Sequence, residues 1–301
     1  MQTLVIRALL TFTSWLPLGV NHALGAVLGR LLALLPNDAR RVTRINLERC
    51  LPELTDTERR RLERASLVEM VRTGLELGPM WLWSQSRCLN LIRSIHGEAL
   101  LNQALADGNG VILIIPHIGM WELIGIYGSS HFPMTSLYRP PRMHGLDNIM
   151  RHGRERFGAT LVPTDAQGIR HLYRALARGE LIAILPDQEP RWGNGVFAPF
   201  FGLQAYTATL LPRIAHKSRA TILLAWAERL PGARGFDLHF AAVADDCSAD
   251  DPVRAATAIN AEVERCARTL PGQYQWHYRR FRTRPEGEAA GFYGRKKRRK
   301  R

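Results

Sequence analysis

Several chemical features are missing from this chain of 301 residues, and each absence narrows what the protein can do. Its four cysteines contain no C-x-x-C pair, which argues against a zinc site or a disulfide framework and fits a reducing compartment. The sequence has no H-E-x-x-H motif, no His/Cys cluster, no calcium-type acidic loop and no glycine-rich nucleotide loop. We therefore expect a protein that uses neither a metal nor a cofactor.

The middle of the chain also lacks a flexible linker, an internal repeat and a low-complexity segment. An apolar content of 46% is enough to form a sizeable core. The sequence therefore predicts one large domain over residues 36–290. An N-terminal segment, residues 1–35, precedes this domain, and a C-terminal tail, residues 291–301, follows it.

The N-terminal segment is apolar and nearly long enough to cross a bilayer. Residues 8–29 contain no Asp, Glu, Lys or Arg, although Pro17 interrupts them and Arg7 and Arg30 flank them. A spanning helix, a helix lying in the membrane interface and a buried helix all fit this pattern. A cleaved signal peptide is disfavoured, because no short cleavage region with small residues follows. We predict that this segment associates with a membrane.

The tail ends in seven consecutive cations, residues 295–301, which supply half of the net charge of +14. Such a run cannot form a packed core, and we expect it to be disordered. It would attract anionic lipid headgroups by roughly 1 kcal/mol per residue near the surface. Nucleic acid is disfavoured as a partner, because the run has no interleaved aromatic residues and no nucleic-acid-binding fold precedes it. The positive-inside rule predicts that the tail is cytoplasmic.

Between its two ends, the chain alternates short apolar segments typical of strands with amphipathic segments typical of helices. This alternation predicts an α/β fold with a central, mostly parallel sheet flanked by helices. Ahead of the sheet, residues 58–82 have a helical period and predict part of an N-terminal helical cap. The predicted strands are 111–115, 134–138, 160–162, 181–185 and 221–226, with an edge strand at 236–243; one predicted helix covers 168–178.

A histidine follows the most apolar of these strands. Residues 111–115 are all Val, Ile or Leu, and Pro116 ends the run. His117 is therefore predicted to lie in the turn at the carboxyl end of the strand, where open α/β sheets place their ligand sites. Glu122 follows five residues later, about 140° away on a continuous helix. The two side chains can meet only if His117 stays in the loop and the helix begins near Gly119.

In that arrangement Glu122 lies in the first turn of the helix, where the helix dipole favours a carboxylate. A neutral imidazole can remove a proton from a hydroxyl group, while a carboxylate fixes the tautomer of the ring. The alternative is that His117 is an ordinary loop histidine and Glu122 a solvated helix residue.

The segment from His117 to Glu122, HIGMWE, resembles the H-x4-D/E motif of the glycerolipid acyltransferase superfamily. Its Glu form is similar to the lipid A secondary acyltransferase (lauroyl/myristoyl) family within that superfamily. The resemblance extends from about residue 40 to 288, with further blocks in the same order. These blocks are 46–53, Glu76 with Trp81, 138–140, Arg151 and Arg154 with 156–158, 185–188, 199–202 and 276–281, the last with its histidine shifted to directly follow the tryptophan.

The resemblance implies a glycerolphosphate-acyltransferase-like fold and the transfer of a fatty acyl chain from an acyl thioester to a hydroxyl of a lipid A precursor. It favours acyl carrier protein over coenzyme A as the donor's carrier, and the cytoplasmic face of the cell inner membrane as the location. Two alternatives remain open. One is an acyltransferase for another membrane lipid, such as a lysophospholipid, glycolipid or aminolipid; the other is a non-enzymatic basic adaptor for membranes or nucleic acid.

Five residues are predicted to form the site. His117 is the predicted general base and Glu122 the residue that orients it. Arg139 follows a predicted strand and is expected to bind a phosphate of the acceptor or of the pantetheine arm, with a structural ion pair as the alternative. Asp187 and Gln188 follow another predicted strand and are assigned to substrate binding. Asp187 is expected either to order the site with Gln188 or to pair with Arg139, without a chemical step.

Three further features each have two interpretations. The 199–202 block offers either a surface for an acyl chain or ordinary core. Arg151, Arg154 and Arg156 either contact an acidic carrier protein or lipid phosphate, or form a solvated basic face. His277, in the last block, is predicted to be structural rather than catalytic.

Overall fold

The computed structural model describes residues 2–138, 144–287 and 291–294. Its strands are β1 (Ile92–His96), β2 (Val111–Ile114), β3 (Met134–Tyr138), β4 (Ala159–Pro163), β5 (Leu181–Ile184), β6 (Gly195–Phe200), β7 (Leu203–Ala208), β8 (Thr221–Arg229) and β9 (Phe236–Ala242). Its α-helices are α1 (Gln2–Trp15), α2 (Leu18–Leu34), α3 (Asp38–Cys50), α4 (Asp56–Leu82), α5 (Gln85–Leu89), α6 (Glu98–Ala106), α7 (Glu122–His131), α8 (His144–Glu155), α9 (Ala166–Ala177), α10 (Leu210–Ser218) and α11 (Pro252–Thr269).

Seven strands form the central sheet in the order β1-β9-β8-β2-β5-β3-β4. The strands from β8 to β4 are parallel to their neighbours, whereas β9 is antiparallel to β8 and parallel to β1. The predicted α/β fold with a mostly parallel sheet is confirmed. The predicted edge strand is present as β9 but lies inside the sheet, because β1 pairs with its outer side. Two features were not predicted. They are β1, whose residues IRSIH lack an apolar run, and the separate β6–β7 hairpin.

The central strands are buried on both faces, which explains their continuous apolar sequences. In β2, Ile112 and Ile114 join a core cluster that includes residues of α9, α10 and α11. Val111 and Leu113 join the opposite cluster, which includes residues of α6 and α7. Successive side chains of a strand point to opposite faces, so one strand contributes to both layers of the core.

The apolar N-terminal segment forms two helices, because the chain breaks at Pro17, immediately before α2. Both helices pack closely on α4. A Cβ atom added at Gly78 of α4 would lie 2.1 Å from Oγ1 of Thr13, and one at Gly25 of α2 would lie 2.7 Å from Cγ of Arg72. Glycine at these contacts lets the helix backbones approach each other.

A helix that crosses a membrane must be both long enough and apolar enough. Within the ranges given above, no single helix is both long and apolar enough to cross a membrane. Helices α2 and α3 meet the two requirements only together, as a pair bent by 79°.

The long helix α4 packs against helices from distant parts of the chain, including α2, α3 and α8. A capping box between Thr55 and Glu58 begins it, in agreement with the predicted helix at 58–82. Its last turn carries Trp81, which is buried beside α7 and α8. The predicted helix at 168–178 is also present, as α9, which begins two residues earlier.

Candidate active site

Two neighbouring strands end in the same way at the centre of the sheet. In the parallel pair of β2 and β5, Ile114 is in register with Ile184. Each strand is followed by an aliphatic residue, a proline and a polar residue, in the sequences IPH and LPD. Proline cannot donate a ladder hydrogen bond, so both strands stop at the same level. His117 and Asp187 therefore leave the sheet side by side.

The Asp187 carboxylate holds His117 through both of its oxygens. Oδ1 lies 2.7 Å from Nδ1 of the ring, and Oδ2 accepts a hydrogen bond from the backbone N–H of His117 at 2.9 Å. The Asp187 side chain is 3% exposed and that of His117 13%. Burial raises the pKa of Asp187, but the charge of His117 and its hydrogen bonds outweigh this and leave the pKa below its usual value.

The ionised carboxylate determines the tautomer of His117. Because a carboxylate accepts and does not donate hydrogen bonds, Nδ1 carries the proton of the neutral ring, and the lone pair of that ring is on Nε2. The side-chain amide of Gln188 lies 3.1 Å from Nε2 and is placed to donate to it. His117 thus has the arrangement of a general base, with its basic nitrogen on the side away from Asp187.

The loop after His117 is fixed by the backbone around it. The carbonyl of His117 accepts a hydrogen bond from the N–H of Gln275, and the N–H of Gly119 donates to the carbonyl of Gln273. Gly119 has a φ of +56°, and a Cβ atom there would lie 1.9 Å from the carbonyl oxygen of Ala227. Only glycine fits this position.

The predicted contact between Glu122 and His117 is not observed, which corrects the predicted role of Glu122 in orienting the base. Glu122 is the first residue of α7, and its side chain turns towards the indole N–H of Trp81, at 3.0 Å, and the guanidinium of Arg154. Burial raises the pKa of Glu122, but the charge and hydrogen bonds of Arg154, with further hydrogen bonds from Trp81 and Trp121, outweigh it and lower the pKa. Asp187 takes the place beside His117 because β5 is the strand adjacent to β2.

The other predicted residues have different outcomes. Arg139 and the cationic run at 295–301 lie outside the described residues. Arg151 forms an ion pair with Glu155, and Arg156 donates to the carbonyl of Met80. Arg154 is paired with the buried Glu122, whereas the Arg151 side chain is 46% exposed, so the solvated-face interpretation fits Arg151 but not Arg154. Phe200 and Phe201 of the 199–202 block are buried in the core.

An apolar cavity lies beside Trp121, whose ring contacts the ring of His117. Glu122 and Arg154 are its only charged wall residues among those the structure describes, and Gly125 of α7 leaves open space where a side chain would be. The remaining wall residues are Ile115, Trp121, Ile126, Met134, Ser136, Leu137, Ala159, Leu161, Ala183 and Leu185. The apolar lining of this cavity is suited to contact with an aliphatic chain.

The four cysteines are poor candidates for a nucleophile. All are buried thiols, and burial raises the pKa of Cys88 to about 11 and those of Cys247 and Cys266 to about 12; Cys50 is shifted in the same direction. Over the described ranges, no group of three or more His, Cys, Asp and Glu side chains is arranged to hold a metal ion.

Comparison with known proteins identifies the family. The family model "Bacterial lipid A biosynthesis acyltransferase" matches residues 2–283. The chain belongs to this family. It is 31% identical over 276 residues to the lipid A biosynthesis lauroyltransferase of Escherichia coli K12, covering 90% of this chain and 88% of that protein. It is 26% identical to the palmitoleoyltransferase of the same strain, over 91% and 89% of the two chains, and 24% identical to its myristoyltransferase, over 87% and 81%.

This protein is accordingly an acyltransferase, and the interpretation as a non-enzymatic adaptor no longer applies. The family match begins at residue 2, so α1 and α2 belong to the region that the acyltransferase shares with its relatives. The sequence contains one sign of the His117–Asp187 pair, since two of the predicted strands end in similar sequences, IIPH and ILPD. Without the order of the strands, however, nothing indicated that these two endings were neighbours.

Proposed function

We propose that this acyltransferase moves a fatty acyl chain from an acyl thioester, carried by acyl carrier protein, to a hydroxyl of a lipid A precursor. The observation that carries the proposal is the His117–Asp187 pair, which leaves the lone pair of the neutral ring on Nε2, while the neighbouring Trp121 lines an apolar cavity. The relatives named above support the choice of lipid A as acceptor and of a fatty acyl chain as the transferred group.

In the proposed reaction His117 is the general base. Nε2 takes the proton of the acceptor hydroxyl while the hydroxyl oxygen forms a bond to the carbonyl carbon of the thioester. The C–S bond then breaks, and the leaving thiolate receives the proton from the imidazolium. Asp187 stabilises the imidazolium between these two steps. Gln188 gives up its hydrogen bond to Nε2 when the hydroxyl binds.

Direct transfer to the acceptor, without an acyl-enzyme, fits the surroundings of His117. The cysteines are buried thiols with raised pKa values, and Ser129 donates to the carbonyl of Gly125 within its own helix. We assign no nucleophile of the protein to the reaction, and no metal or cofactor.

Glu122 is proposed to support the apolar cavity lined by Trp121 and Gly125, which we call the acyl cavity, rather than to orient the base. Its ion pair with Arg154 ties the start of α7 to α8, and both side chains line the cavity. Trp81 adds the end of α4 to the same carboxylate. Glu122 thus keeps three helices in place around the bound chain.

The cytoplasmic face of the inner membrane is the proposed location. Helices α1 and α2 leave large apolar side chains exposed, which is typical of a surface that lies in the membrane interface. These side chains are Leu4, Val5, Leu9, Phe12 and Trp15 on α1 and Val20, Val27, Leu28, Leu31 and Leu34 on α2. The cationic run at 295–301 would add attraction to anionic lipids.

We retain Arg139 as the proposed phosphate ligand.

Mass spectrometry of lipid A tests the proposal. Cells lacking the protein are re-supplied with wild type, His117→Ala or Asp187→Asn, with Asp165→Asn as a control that makes the same change at the cap of α9, where Asn can still accept the capping hydrogen bond. We expect wild type and the control to restore one acyl chain, whose mass identifies the donor chain. Unchanged lipid A together with a change in another lipid class would contradict the acceptor assignment. Full restoration by His117→Ala would contradict the mechanism.

A further inference from the structure

A second cavity shares a wall with the acyl cavity. It lies between α4 and the segment 273–277, and Trp121 lines both cavities. The Trp121 ring also meets the ring of His117 edge-on, with 4.9 Å between their centroids. The segment 273–277 is hydrogen bonded to the His117 loop through the N–H of Gln275 and the carbonyl of Gln273. A molecule in this cavity would therefore lie next to the proposed base.

Some polar side chains of this cavity are hydrogen bonded to the protein, and others are not. Thr73 and Gln273 are engaged with the protein: Thr73 donates to the carbonyl of Gly119, and the Gln273 side chain forms two hydrogen bonds with the backbone of Arg229. The side chains of Gln275 and His277 have no hydrogen-bond partner among the residues the structure describes. Nδ1 of His277 is buried from solvent as well. A buried polar atom without a partner in a cavity wall, as Nδ1 of His277 is, is suited to a ligand.

His277 is an acceptor at neutral pH. Burial lowers its pKa to about 4, and the nearby charge of His117 contributes to the shift. A neutral imidazole has one nitrogen with a free lone pair. His277 can therefore accept a hydrogen bond from an N–H or O–H group of a ligand without becoming protonated itself.

A glycine in the middle of α4 keeps part of the cavity open. Gly74 lines the cavity, and a Cβ atom built on it would have no atom within 4 Å. Its φ does not lie in the left-handed region, so the backbone does not require glycine here. Alanine favours a helix more than glycine does. Alanine at position 74 would therefore favour the helix, but its side chain would occupy part of the cavity.

We propose that this second cavity binds the amide-bearing aliphatic arm of a substrate, with His277 accepting a hydrogen bond from the arm and Gln275 donating one to it. The inference rests on the proposed function, which supplies two such arms. One is the pantetheine of the acyl donor, and the other is an amide-linked chain of the acceptor. Both combine methylene groups with an amide, and both must end near His117 to react.

Purified full-length protein tests the inference with Gly74→Ala, Gly74→Met and His277→Phe, and with His171→Phe as the control. His171 lies on α9 and bonds to its own helix. The KM of the acyl donor, the KM of the acceptor, kcat and the melting temperature are measured for each variant. We expect Gly74→Met and His277→Phe to raise the KM of one substrate about 10-fold or more, with a smaller rise for Gly74→Ala. The melting temperature of both Gly74 variants should equal or exceed that of wild type.

The substrate whose KM rises identifies the arm that the cavity holds. Wild-type KM values for both substrates in Gly74→Met and His277→Phe would overturn the inference, and so would a loss of kcat alone. Failure of the proposed function gives a different result, since wild-type protein would then form no acylated lipid A precursor from these substrates.

Discussion

Nδ1 of His117 lies 2.7 Å from Oδ1 of Asp187, although 70 residues separate the two in the chain. Neighbouring parallel strands bring them together, and a proline ends each strand at the same level. The carboxylate that accompanies the base is thus the one after the adjacent strand, whereas the carboxylate five residues after the histidine belongs to an ion pair with Arg154.

Asp187→Asn should lower kcat by about 100-fold to 10,000-fold, with little change in either KM. The amide cannot stabilise an imidazolium, and its NH₂ group favours the tautomer with the lone pair on Nδ1. Steady-state kinetics of the purified variant measure this effect. Asp165→Asn, at the cap of α9, is the matched control and should keep kcat within a few-fold of wild type.

Glu122→Gln should affect stability more than chemistry. It breaks a buried ion pair, and we expect the free energy of unfolding to fall by up to about 3 kcal/mol. This is the lower end of the range for such pairs, because 29% of the Arg154 side chain remains exposed. Urea denaturation measures the loss, and Arg154→Gln should reproduce it. If Glu122→Gln retained wild-type stability but lost as much kcat as Asp187→Asn, Glu122 would have to act on the reaction itself.

The lowered pKa of Glu122 also predicts how stability depends on pH. Because the folded protein holds this pKa below its usual value near 4.5, the unfolded chain binds a proton first as the pH falls. The contribution of Glu122 is therefore complete at neutral pH and is lost as the pH falls below about 4.5. Between pH 7 and pH 3, the free energy of unfolding, measured by urea denaturation at each pH, should fall less steeply for Glu122→Gln than for wild type. Equal slopes would contradict this account.

Gly125→Met should shorten the acyl chain that the enzyme prefers. A side chain at this position projects into open space of the acyl cavity, so it should fill the cavity without disturbing α7. We expect the ratio of kcat/KM between a shorter and a longer donor to change by about 10-fold or more. Competition between donors of different chain length measures this ratio. Gly74→Met, in the second cavity, is the control and should leave the preference unchanged.

Gly119→Ala should destabilise the protein and abolish most of its activity. The new Cβ atom would clash with the carbonyl oxygen of Ala227, and the positive φ would cost about 1 kcal/mol or more in addition. Gly108→Ala separates the two effects, because Gly108 also has a positive φ but open space around it. Thermal unfolding should show the larger loss for Gly119→Ala, and equal losses would rule out the clash.

The sequence by itself determined the parts of this protein that depend on local pattern. An apolar run ended by Pro116 is enough to predict β2 and to place His117 at its carboxyl end, and the same logic applies to β5 and Asp187. Helix α4 follows from its period and its capping residues. These features depend on side-chain alternation and backbone chemistry within a few residues.

Only the tertiary structure decided which of these local features meet. Strand order makes β5 the neighbour of β2, so Asp187 rather than Glu122 contacts His117. Helix packing pairs Glu122 with Arg154 and leaves a cavity at Gly74. Contacts between residues far apart in the chain depend on how whole elements pack, and the pattern within each element contains no information about its neighbours.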